Sequence, residues 1–195
     1  MKGTMKKSNK EVKLNLGCGD KRLEGWINTD RVYIKGIVDK VLDIRDLNEF
    51  EDLSVDVIYA SHVIEHIHYS EILNTLAEWH RVLKINGKVM ISTPDLFMWA
   101  KKYIEGNDDW WNRYGVQEAI IQTSAYRFVE HLYALGGGIH KCAFDEGLLT
   151  TYLKLAGFFD VKKFEPFVND VSSLEWSLNL EAIKKIGNFP SEHVL

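Results

Sequence analysis

The chain has 195 residues, 46% of them apolar, and a formal net charge of −4. That is apolar content enough for a full core, most simply as one α/β domain. The small acidic balance argues against a nucleic-acid backbone binder, which would carry a basic face, and no apolar run reaches the roughly 18 residues of a membrane span.

Residues 1–11 read as a flexible tail: Met1 to Lys10 holds four lysines and no apolar h-region, which predicts a solvated segment rather than a signal peptide. Val12 to Leu16 is an apolar run that breaks into Gly17-Cys18-Gly19. A buried strand turning at glycines lets backbone approach a bound molecule with no Cβ between them. Taken alone, such a sequence is more often only a tight turn. Asp20 to Gly25 is a polar connection with room for about one helical turn. Trp26 to Asp30 predicts a second strand and Ile37 to Leu42 a third, followed by Asp43. Parallel neighbours usually need about a dozen residues between them, so these two short crossovers imply truncated helices.

Asp46 to Leu53 is a polar, acidic connection, and Val55 to Ala60 is apolar enough for a central strand. Ser70 then suits an N-cap for a helix burying Ile72, Leu73, Leu76, Trp79 and Leu83. Asn86-Gly87 predicts its end, and Lys88 to Ser92 a fifth strand stopped by Pro94. Strands alternating with helical or polar crossovers give a doubly wound parallel sheet. From Asp95 to Leu135 the pattern changes to helices rich in aromatics, including Trp99, Tyr103, Trp110, Trp111 and Phe128. We read about 96–139 as a helical insertion within a single domain spanning 12–195, with Gly136 to Gly138 as a flexible joint able to hinge a lid. Phe144 and Leu149 flank Asp145 at the spacing of a hydrophobic staple around an N-cap. That helix ends at Ala156-Gly157, Phe158 to Phe164 is a sixth strand, and Trp176 to Ala182 alternates as a seventh near a sheet edge, suited to antiparallel pairing.

In an open parallel sheet the ligand crevice lies beyond the carboxyl ends of the strands. Asn15 to Asp20, Asp30, Asp43 and Ser61-His62 all fall at such ends. A carboxylate after the second strand can accept both hydroxyls of a ribose, and one after the third can accept an exocyclic adenine amine. Any one of these acids is explained as a loop cap. Four positions in register point to a ligand.

With these motifs the chain resembles the class I S-adenosylmethionine-dependent methyltransferases, in their small-molecule branch. The likeness rests on Leu14-Asn15-Leu16-Gly17-Cys18-Gly19, on Ser61-His62-Val63-Ile64-Glu65-His66-Ile67, on Arg81 to Lys88, on Ser92-Thr93-Pro94-Asp95, and on Phe144-Asp145 through Phe158. It implies a Rossmann-like methyltransferase fold, with a seven-stranded, mostly parallel sheet and an antiparallel last strand. It implies S-adenosylmethionine as cofactor, lined by Gly17, Cys18 and Gly19. Asp30, with Arg31 beside it, would hold the ribose, Asp43 and Ile44 would bracket the adenine, and Ser61 and His62 would lie beside the methionine part. Asn15 stands where the wider class commonly has an acid, and so gives up charge attraction to the cofactor's cationic groups.

A dinucleotide fingerprint fits less well, because its third small residue would fall at Arg22. His62-Val63-Ile64-Glu65-His66 also matches the His-x-x-Glu-His spacing of inverted zinc peptidases. That chemistry needs both histidines on one helix, whereas this stretch follows directly on a strand, so we expect no metal here and a zinc hydrolase only as the lesser reading. Methyl transfer needs a base only if the acceptor must lose a proton; the catalytic candidates are His140 and His66, then His62. The aromatic insertion suits stacking on a planar acceptor such as a saccharide, or packing against the sheet, which is the commoner use of such rings. A non-catalytic module that binds the cofactor is the alternative to an enzyme acting on a small molecule.

Overall fold

The computed structural model describes residues 11–106, 123–133, 139–167 and 170–186. The lysine-rich start, Trp110, Trp111 and the Gly136–Gly138 joint lie outside the described residues. Seven strands, β1 (Lys13–Leu16), β2 (Ile27–Asp30), β3 (Lys40–Val41), β4 (Val55–Ser61), β5 (Leu83–Pro94), β6 (Phe158–Lys163) and β7 (Ser177–Lys184), form one sheet in the order β3-β2-β1-β4-β5-β7-β6. β1 pairs in parallel with both β2 and β4, β4 pairs in parallel with β5, and β7 runs antiparallel between β5 and β6. This is the mostly parallel α/β sheet that the sequence predicts.

α1 (Tyr69–Val82) follows β4, α2 (Leu96–Ile104) and α3 (Ser124–Tyr133) follow β5, and α4 (Glu146–Leu155) precedes β6. α1 and α4 share one face of the sheet. Ile72, Leu76 and Trp79 from the first, and Leu149 and Leu153 from the second, meet Leu14, Leu16, Ile58, Val89 and Leu180 in a core closed to water. Side chains alternate along a strand, so Lys13, Asn15, Tyr59, Lys88, Met90 and Glu181 turn to the opposite face. There Tyr59 is packed edge-on by Phe167 at 4.7 Å and by Phe164 at 6.3 Å, both from the chain between β6 and β7.

Several boundaries differ from expectation. No helix separates β1 from β2 or β2 from β3: both connections are turns, with Lys21 N–H donating to Cys18 O and Val38 N–H to Ile34 O. The turn over 34–38 takes residues that looked like strand and leaves β3 only Lys40–Val41. His68, not Ser70, caps α1, its ring accepting from Ser70 N–H. Leu73 is 39% exposed, and Thr75 and Val82 are buried in its stead. The helix stops at Val82 because Leu83 already pairs with Val55, so Asn86-Gly87 bends a strand instead of ending a helix. Asp145 does cap α4, accepting from Leu148 N–H at 2.7 Å, with Phe144 and Leu149 both fully buried.

Candidate functional site

β1 and β4 are neighbours whose chain connections leave in opposite directions, and a crevice opens at such a switch point beyond the carboxyl ends. Gly17 to Gly19 leave β1 there and Ser61-His62 leave β4. Asn15, Gly17, Cys18, Gly19, Ser61 and His62 all line one cleft, which Tyr59, Asp170 and Val171 complete. Gly17 and Gly19 have φ of +63° and +51°, in the left-handed region. A Cβ on Gly17 would lie 2.4 Å from Val63 Cγ2, whereas one on Gly19 would meet nothing within 4 Å. The first glycine is needed for packing and the second opens onto free space. His62 shares the left-handed backbone, at φ +50°, a costly conformation for a side chain of this size.

Asp30 lies just outside this cleft. Its Oδ2 accepts from Gly19 N–H at 2.9 Å and its Oδ1 from Val32 N–H at 2.9 Å, so the carboxylate fixes the glycine turn to the end of β2. Asp43 sits beyond the end of β3, exposed and gripped by Arg45 through Nε at 2.9 Å and Nη2 at 2.7 Å; that guanidinium holds its carboxyl below the usual range. Ile44 beside it is buried, and its carbonyl accepts from the Trp79 indole at 2.7 Å. Arg31 is exposed.

Asn15 is accounted for by its neighbours. Its Nδ2 donates to Lys21 O at 3.0 Å and to Asn28 Oδ1 at 2.9 Å. A carboxylate has no proton for either acceptor and would face them at 3% exposure. Asn28, unremarkable in the sequence, is the hub: its Oδ1 also accepts from Leu23 N–H, and its Nδ2 donates to Leu23 O and Trp26 O.

Beside the cleft lies a second group. A single 3₁₀ turn, Ile64–His66, follows β4 and carries Glu65 and His66. His62 is outside that turn, so the two histidines do not share a helix as zinc-peptidase chemistry demands. Instead the fold brings in His140: Lys141 N–H and Cys142 N–H both donate to Glu65 O, at 2.8 and 3.2 Å, and the His140 and His66 rings stand 5.0 Å apart. Glu65 is 1% exposed, and burial pushes its carboxyl up to about 8. Burial also pushes His62 down to about 4 and lowers His66. Glu65 and His140 border a narrow gap of about 10 Å³, room for about one water, with Thr93, Leu96, Trp99 and Leu132. Trp99 of the insertion packs against Trp176, just before β7, at 5.3 Å, and within the insertion Tyr103 stacks on Phe128 at 5.1 Å. Phe97, in contrast, is 65% exposed.

Tyr59 and Asp170 are among the cleft residues that were missed from the sequence. Tyr59 read only as strand core, but its hydroxyl donates to the Asp170 carboxylate. Asp170 lies 111 residues further along, and no local pattern marks it.

Residues 14–91 match the family described as a methyltransferase domain. No curated protein is similar to the chain in sequence. Among solved structures, an S-adenosylmethionine-dependent methyltransferase from Archaeoglobus fulgidus aligns over 90% of this chain and 87% of its own, at 14% identity and a TM-score of 0.58. The 1,6-didemethyltoxoflavin-N1-methyltransferase of Burkholderia thailandensis, with S-adenosylhomocysteine bound, covers 89% of this chain and 71% of its own, at 16% identity and a TM-score of 0.53. A protein of Pyrococcus horikoshii covers 93% and 85%, at 17% identity and 0.57. At such identities the likeness carries the fold. The domain match covers 78 of the 195 residues, among them both motifs that line the cleft, and makes that part of the chain similar to a methyltransferase domain.

Proposed function

We propose that the cleft between Gly17–Gly19 and Ser61–His62 holds S-adenosylmethionine and that the methyl acceptor is a small molecule, a saccharide or another hydroxyl-bearing metabolite. One observation carries this reading: Asp30 is locked to Gly19 N–H, joining a carboxylate suited to a ribose to a turn whose second glycine leaves the space of a Cβ unfilled. The residues fit the cofactor. Gly17, Cys18 and Gly19 offer close backbone, Asn15 closes the floor, and Ser61 and His62 face the methionine part. Asp30, with Arg31, serves the ribose, while Asp43 and Ile44 flank the adenine. The net charge of −4 suits a small acceptor better than a nucleic acid, and two free cysteines suit a reducing compartment such as the cytoplasm.

When bound, the cofactor supplies a methyl group on a sulfonium, with a thioether as leaving group. The protein's contribution is alignment and exclusion of water. The acceptor's place is at the end of the cleft where His62 approaches Glu65, with His140 and His66 the residues that meet its reacting group. Residues 12–195 serve this as one domain, with 96–139 as the acceptor-side insertion. Calorimetry with S-adenosylhomocysteine on the wild type and on Asp30→Ala is the test. The substitution should weaken binding by about 10- to 100-fold, as loss of charge-assisted hydrogen bonds of about 1.5–3 kcal/mol requires. Equal affinity for both proteins would remove the cleft from consideration.

A further inference from the structure

We propose that Glu65, His66 and His140 form a binding site for a divalent transition-metal ion. Each offers one donor atom, and the three donors lie within 4.8 Å of one another. The backbone holds them together: Lys141 N–H and Cys142 N–H are bonded to Glu65 O, and His140 N–H donates to Tyr133 O at 3.3 Å. Bond lengths of about 2.1 Å allow donors up to about 4.2 Å apart, and rotation of the two half-buried imidazoles closes that gap.

The proton inventory points the same way. His66 Nδ1 contacts Ile139 O at 3.3 Å. A carbonyl only accepts, so Nδ1 carries the hydrogen and Nε2 keeps its lone pair, the tautomer and orientation of a metal-ligating histidine. Ser177 donates its hydroxyl proton to Val171 O at 3.0 Å. The 2.9 Å contact between His62 Nε2 and Ser177 Oγ must therefore be donated by the ring, which leaves His62 Nδ1 with a lone pair. That lone pair faces Glu65 Oε1 at 3.5 Å. Glu65 Oε2 accepts from Thr93, but Oε1 is buried and accepts no hydrogen bond among the described residues. Two facing acceptors at 1% exposure are satisfied by a proton on the carboxyl or, when it is ionised, by positive charge beside it, which an ion held with His66 and His140 would supply.

Two imidazoles and one carboxylate are a donor set for zinc, manganese, iron or cobalt rather than for calcium, which takes oxygens. Three protein ligands leave a position open for one further donor atom, toward the narrow gap that Glu65 and His140 share. Resting on the methyltransferase reading, the ion's role is to coordinate an acceptor oxygen and lower the pKa of its hydroxyl, whose proton passes to bulk water. The acceptor class is then a hydroxyl compound, and His66 and His140 serve it as ligands instead of as free bases.

The test uses full-length protein stripped with a chelator and titrated with Co²⁺. Saturation at one ion per chain with a visible d–d band is the expected result. Glu65→Gln and His140→Ala should each weaken it by more than about tenfold, since even outer-shell changes cost 10- to 100-fold. Glu65→Gln should still fold, because a carboxamide there can donate to His62 Nδ1 and so relieves the facing lone pairs. Absence of a band in the wild type, or unchanged Co²⁺ affinity in both variants, overturns the site. S-adenosylhomocysteine calorimetry on the stripped protein keeps the two readings apart: binding without Co²⁺ uptake sinks the ion alone, whereas Co²⁺ uptake without cofactor binding sinks the cleft alone.

Discussion

The two glycines of the β1 turn should respond differently to the same substitution. Gly19→Ala puts a methyl group where nothing lies within 4 Å, so its cost to the fold is that of a left-handed alanine, about 1–2 kcal/mol. For a chain of this size that lowers Tm by about 2–8 °C. Gly17→Ala carries the same backbone cost and adds a clash, its Cβ being 2.4 Å from Val63 Cγ2 and 2.9 Å from Val63 Cβ. Overpacking of that kind costs a further 1–3 kcal/mol or so, bringing the total to about 2–5 kcal/mol. Val63→Ala removes both Cγ atoms and should recover part of the second term in the double variant, but none of the loss in Gly19→Ala. Binding should divide the other way. The Gly19 methyl group intrudes on the cleft, so Gly19→Ala should lose S-adenosylhomocysteine affinity by more than about tenfold, or 1.4 kcal/mol, while remaining folded. Urea unfolding and calorimetry on the wild type, the three single variants and the two double variants suffice. If Gly19→Ala bound the ligand as the wild type does, or if Val63→Ala rescued both glycines alike, the division between a packing glycine and a ligand glycine would be wrong.

Lys184 is 7% exposed, and its ammonium donates to the carbonyls of His80 at 2.6 Å and Leu83 at 2.9 Å, closing the end of α1 against β7. Lys184→Met keeps the stem but orphans those carbonyls, and should cost about 2–4 kcal/mol in urea unfolding; a loss below about 0.5 kcal/mol, ordinary for a surface site, would show that water replaces the cap. His80 packs edge-on against Phe158 at 5.1 Å, and burial, with Lys184 nearby, pushes it down to about 4. Its unfolded value is near 6.5, so between those values the unfolded chain binds a proton that the native chain refuses. Stability should therefore fall as pH drops from about 6.5 to about 4, with this residue contributing a slope of at most about 1.4 kcal/mol per pH unit. In His80→Gln the difference in slope from the wild type should appear in that window, and parallel curves would clear His80 of any part in acid sensitivity.

The parts of the site readable from sequence are those set by local chemistry. Gly17-Cys18-Gly19 after an apolar run announces a left-handed turn at a strand end, and the φ values of both glycines agree. The Asp145 cap was legible because a staple and an N-cap have fixed spacing. The partnership of Glu65 with His140 was not: His140 is 75 residues downstream, and the contact exists only because the segment after α3 bonds back to the Glu65 carbonyl. Hence the motif His62-Val63-Ile64-Glu65-His66 matched the spacing of two helical metal ligands while following directly on a strand, and the fold, with His62 outside the 3₁₀ turn, sets His140 rather than His62 beside the His66 ring. Asn86-Gly87 misled for a different reason. The pairing of Leu83 with Val55 overrides a good helix-stop signal four residues later.

The missing crossover helices explain why the cleft has walls that no motif foretold. A helix after β1 would satisfy its own backbone; a turn of nine or ten residues cannot. Asn28 takes over that task, bonding Leu23 and Trp26, while Asp39 accepts from Asn28 N–H at 2.9 Å and from Arg22 at 2.8 Å. These side chains hold β1, β2 and β3 together where helix packing would otherwise do so. The sheet face left behind needs apolar cover, which Phe164 and Phe167 supply from the β6–β7 connection by closing on Tyr59. The same connection then sets Asp170 on the Tyr59 hydroxyl and Val171 at the cleft. Shortening the chain near β1 has thus moved part of the site's lining to the other end of the sequence. For that reason Asp170, rather than a residue of a crossover helix, faces Asn15 and Ser61 across the cleft.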